Sequence, residues 1–72
     1  MVNVNKLKGK MAENQINVAE LAAKIGIDKA TLYRKINSNC RTLTIEEADL
    51  IAKELSLTFE EVNTIFFAQY VA

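Results

Sequence analysis

The chain has 72 residues, half of them apolar and a quarter charged, with nine basic side chains balanced by nine acidic ones. One domain accounts for all of it, since domains commonly run to about 100–150 residues, and the apolar share is too high for intrinsic disorder. A single cysteine, Cys40, and no histidine exclude an internal disulfide, the common zinc sites and every histidine-based nucleophile or general base. No enzyme, cofactor, metal or small-molecule substrate is expected.

No apolar run approaches the roughly 20 residues that cross a bilayer. Lys6, Lys8 and Lys10 near the amino terminus are followed by no apolar segment or cleavage site, so a cytoplasmic protein without membrane contact is expected. The zero net charge conceals an asymmetry. Residues 1–41 hold eight basic against three acidic side chains, a balance of +5, and residues 42–72 hold one against six, a balance of −5. A basic surface facing a polyanion and an acidic surface facing elsewhere follow from that split. A chain this short buries only about 60% of its unfolded surface, so caps or a partner chain must supplement its core.

Apolar spacing is helical throughout, with no proline and no alternating run long enough for a central strand, which predicts an all-α fold, a compact five-helix domain. The first helix carries Val4, Leu7 and Met11 on one face, with Asn3 or Asn5 as its cap, and Asn14-Gln15 ends it. The second starts at Asn17, where Glu20 completes a capping box, runs along Val18, Leu21, Ala22 and Ile25, and stops at Gly26, the residue that enters the left-handed region most cheaply. Only Ile27 separates Gly26 from Asp28, the cap of a third helix over about 28–37, so the two helices cross steeply. Ile27 and Leu32 have hydrophobic-staple spacing. Leu32 and Ile36 face inward, leaving Lys29, Ala30, Tyr33, Arg34 and Asn37 outside. After a polar loop, capping boxes at Thr44/Glu47 and Thr58/Glu61 open a fourth helix with Ala48, Ile51, Ala52 and Leu55 inward, and a fifth with Val62, Ile65 and Phe66 inward.

The segment 17–37, NVAELAAKIGIDKATLYRKIN, resembles the helix-turn-helix of the Cro and phage-repressor family. Ala22 stands where the two helices pack closely, Gly26 at the turn, Asp28 at the cap, and Leu32 and Ile36 beneath the second helix. The likeness extends over the five-helix frame, and LSLTFEEV at 55–62 is similar to the family's last two helices. It implies a helix-turn-helix in helices two and three, and a DNA-binding transcription regulator of a phage-type lysogeny switch whose third helix reads an operator in double-stranded DNA. Base contacts would come from Lys29, Ala30, Tyr33 and Arg34. Phosphate contacts would come from Lys10, Asn17, the amide of Val18, Asn37, Asn39, Arg41 and Thr42. The chain departs from the family at Val18, where many relatives carry glutamine, and at Ser38 and Ser56, where they often carry glycine.

The last eight residues, IFFAQYVA, contain seven apolar ones, and an apolar chain end is expected to dock. Either it folds back to close the small core, or Phe66, Phe67, Tyr70 and Val71 form an interface. The partner is a second copy, as small phage repressors use to set two recognition helices about 34–36 Å apart, or another protein. Short members of the family also act as antirepressors that bind the phage's main repressor, and the acidic half (Glu46, Glu47, Asp49, Glu54, Glu60, Glu61) fits that alternative. Cys40 is expected in a loop beside Arg41, whose charge would lower the thiol's pKa.

Overall fold

The computed structural model describes residues 2–67. These form five helices and no strand: α1 (Val4–Glu13), α2 (Val18–Ile25), α3 (Lys29–Asn37), α4 (Ile45–Glu54) and α5 (Phe59–Phe66). Each helix begins where a side-chain oxygen accepts from amides of the first turn. Asn3 accepts from the Lys6 amide at 3.0 Å, and Asp28 accepts from the amides of Ala30 and Thr31. Asn17/Glu20, Thr44/Glu47 and Thr58/Glu61 form reciprocal capping boxes. Such a cap stabilises a helix by about 1 kcal/mol, and helices of 8–10 residues are too short to persist in water without caps and packing.

The helix ends follow backbone sterics. Gly26 closes α2 with φ +81° and its amide bonded to Ala22 O. Gln15 after α1 and Ser56 after α4 adopt φ of +53° and +51°, positions where a residue without Cβ would carry no strain. Ser56, where the family resemblance implies glycine, takes a backbone conformation that glycine adopts without strain.

The core gathers the inward stripe of every helix, with Leu7, Leu21, Leu32, Ile51, Leu55 and Ile65 fully enclosed. α2 packs against both α3 and α4, and α1 packs against α5. The Asn3 amide donates to Ile65 O at 2.7 Å, tying the start of α1 to the end of α5. Val4, Val18 and Val62, expected inside, lie half-buried at the rim.

Two expectations change here. Phe66, read both as an inward residue of the fifth helix and as part of an interface, is 6% exposed and belongs to the core, which bears out the first reading and removes it from the second. α5 turns it inward one residue after Ile65, and Phe67, the next residue, is half-buried. Tyr70 and Val71 lie outside the described residues. Cys40 lies in the turn after α3, as expected, but its side chain is 4% exposed and packs in the core. Burial pushes its pKa up, an effect that the charge of Lys8, rather than Arg41, partly offsets.

Candidate nucleic-acid interface

α3 is held from below and open above. Leu32 and Ile36, one turn apart, sink into the core at 0% and 3% exposure, and Ile27 packs against the same cluster before the helix begins. Side chains off that inward stripe and its flank therefore point away. Lys29, Ala30, Tyr33, Arg34 and Asn37 are all exposed. Arg34 donates from Nη2 to Thr31 Oγ1 at 3.3 Å, which lays the guanidinium along the helix and leaves its other donors facing outward. A single helix with its side chains fits a major groove of about 12 Å.

Two clefts flank the carboxyl end of α3. Thr31, Arg34, Asn37, Ser38 and Thr42 line one. Asn3, Asn5, Lys8, Asn37 and Asn39 line the other. Arg41 is exposed in the turn between α3 and α4, and Asn39 and Cys40 in that turn have φ of +61° and +58°. Asn tolerates the left-handed region through its short polar side chain, whereas Cys40 is strained there and is kept in place by its burial.

Ion pairing redistributes the charge that the sequence divides into halves. Lys10, expected on a phosphate, instead pairs with Glu61 at 2.6 Å and Glu13 at 3.1 Å. Lys35 of α3 reaches across to α4, donating to both carboxylate oxygens of Glu47 at 2.7 and 2.9 Å and to Thr42 O at 3.2 Å. Lys53 pairs with Asp49. Two capping-box glutamates thus serve twice, each closing its own helix start and receiving a lysine from another helix. The Lys10 ammonium, followed by the Thr58 amide, holds Glu61 down to about 2. Burial raises the Glu47 carboxyl, but Lys35 and the Thr44 amide outweigh it, so its pKa is lowered.

Among the described residues, Lys6, Lys8, Lys24, Lys29, Arg34 and Arg41 make no ion pair. These cations lie in α1, α2, α3 and the turn after it, and of them Lys29 and Arg34 on α3, Lys8 in the cleft beside its end and Arg41 in the following turn leave unpaired positive charge at α3. The start of α2 is less favourable to an anion than a bare helix end. The Glu20 carboxylate accepts from the Asn17 amide at 3.0 Å, and Asn17 Oδ1 accepts from the Glu20 amide at 2.8 Å, leaving the side-chain NH2 of Asn17 and the Val18 amide to meet a phosphate.

The outward set on α3 was legible from helical spacing alone. The pairs Lys10–Glu61 and Lys35–Glu47 were not, because they join residues distant in sequence and no local pattern marks them. No curated protein and no solved structure matches the chain. Its residues 6–67 match the family model of the Cro/C1-type HTH DNA-binding domain. With that match covering most of the chain and α2, its glycine turn and α3 in place, the chain belongs to the family of Cro/C1-type helix-turn-helix DNA-binding domains.

Proposed function

We propose that the chain is a one-domain transcription regulator of a phage-type genetic switch, binding a double-stranded operator as a homodimer with α3 in the major groove. Lys29, Ala30, Tyr33 and Arg34 meet base edges, Arg34 by paired donors to guanine and Ala30 against a thymine methyl. Asn17, the Val18 amide, Asn37, Asn39, Arg41 and Thr42 touch phosphates and fix the register. The observation that carries this reading is the exposure of the whole outer face of α3 above the buried pair Leu32 and Ile36. Phe67, which with Ile45, Ala48 and Ala52 lines a cleft between α4 and α5, is the dimer contact.

The test is selection of duplexes from a random pool, followed by titration of the winning sequence and of the protein's own upstream DNA. Arg34→Ala is expected to lower the preference for the selected duplex by about 1–3 kcal/mol while melting like the wild type. A binding loss equal for all sequences would refute base reading by Arg34.

A second reading is favoured by one observation: Ile45 and Phe59, the first residues of α4 and α5, are 78% and 82% exposed and each precedes a glutamate outside any ion pair, Glu46 and Glu60. Exposed apolar side chains beside unpaired carboxylates suit an antirepressor that binds the basic DNA-reading face of another repressor. Capture of such a repressor that survives Arg34→Ala and is lost in Phe59→Ser would favour it.

A further inference from the structure

We propose that α1 also grips DNA, with Lys8 and its neighbour Asn5 holding a backbone phosphate beside the carboxyl end of α3. This rests on the operator-binding reading and extends the contact to a helix outside the helix-turn-helix.

The geometry comes from the cleft of about 380 Å³ that opens where the start of α1 meets the end of α3. Its polar lining is four asparagines, Asn3, Asn5, Asn37 and Asn39, and one ammonium, Lys8, with no carboxylate. A phosphodiester only accepts hydrogen bonds, and this lining supplies carboxamide NH2 groups and three ammonium donors. Asn37 is shared with the cleft that holds Arg34, Thr31 and Thr42. A strand that passes Asn37 and Asn39 after leaving the groove therefore comes within reach of Lys8.

Helix geometry separates Lys8 from Lys10. Two residues along an α-helix turn a side chain by about 200°, so the two lysines face opposite ways. Lys10 meets Glu61 of α5. Lys8 stands toward the α3–α4 turn, near enough for its charge to act on Cys40, and makes no ion pair among the described residues. There is also a need for it. The start of α2, where a phosphate would ordinarily be clamped, carries Val18 and the Glu20 carboxylate, so anchoring charge has to come from elsewhere on the same face.

The experiment measures affinity against salt for Lys8→Gln, Lys8→Arg and Lys53→Gln, on a 30-base-pair duplex of mixed sequence and on the selected duplex. Each phosphate contact contributes about 0.9 to the slope of log affinity on log salt. Lys8→Gln should flatten the slope by that amount on both duplexes, so that its deficit relative to the wild type shrinks about 3-fold between 50 and 200 mM salt. Lys8→Arg should keep the slope, and Lys53→Gln, which removes the same charge from α4, should leave it unchanged. A wild-type slope in Lys8→Gln with an unaltered melting temperature overturns the proposal, as does an equal change in Lys53→Gln, which would mean net charge alone is read. A wild type that binds neither duplex overturns the operator-binding reading itself, and this inference with it.

Discussion

Replacing Gly26 by alanine isolates what the turn between α2 and α3 asks of the backbone. Gly26 has φ +81° and ψ 28°, and a Cβ built there would meet nothing within 4 Å, so packing contributes no penalty. What remains is the left-handed conformation, which costs an L-residue about 1–2 kcal/mol, less about 0.4–1 kcal/mol recovered because alanine restricts the unfolded chain. The net loss is about 1 kcal/mol, equivalent to a fall in Tm of about 4–8 °C for a domain of this size. Ser56, with φ +51°, supplies the reverse experiment: Ser56→Gly removes the same strain and should raise Tm by a comparable or smaller amount. Thermal melts followed by circular dichroism read both, and DNA affinity below the melting range should be unaltered because the folded turn keeps its shape. A loss above about 3 kcal/mol in Gly26→Ala would mean that the added methyl collides with something, and a gain in stability would mean that the turn is not held in the left-handed region; either result refutes the reasoning.

The remaining predictions concern titration and the thiol. Glu61 and Glu47 have folded pKa values below the ordinary 4.5, Glu61 at about 2, so the unfolded chain binds more protons in acid. Their stabilisation is complete above about pH 4.5 and is lost as pH falls toward 2. Urea midpoints measured across that range should drop, and should drop less in Glu61→Gln; identical pH profiles would show that the pair with Lys10 contributes nothing. Cys40, enclosed and with its pKa raised by burial, should react with a disulfide reagent at neutral pH only as fast as the fold opens, and fully in urea. Reaction of the native protein at the rate of a free thiol would contradict its place in the core.

Local chemistry decided most of the secondary structure. The caps Asn3, Asn17, Asp28, Thr44 and Thr58 and the stop at Gly26 act on amides within four residues of themselves, so their effect is written in the chain at short range. The outward face of α3 follows as directly, since burying Leu32 and Ile36 turns the opposite positions, Lys29, Ala30, Tyr33, Arg34 and Asn37, to the outside. Spacing alone did not carry the fate of the charges or of the loop. Lys10 and Lys35 were drawn to Glu61 and Glu47, Lys8 was turned toward the end of α3, and Cys40 was folded into the core. Each of these depends on which helices come to lie beside one another, and that is settled by the packing of whole faces rather than by any window of sequence.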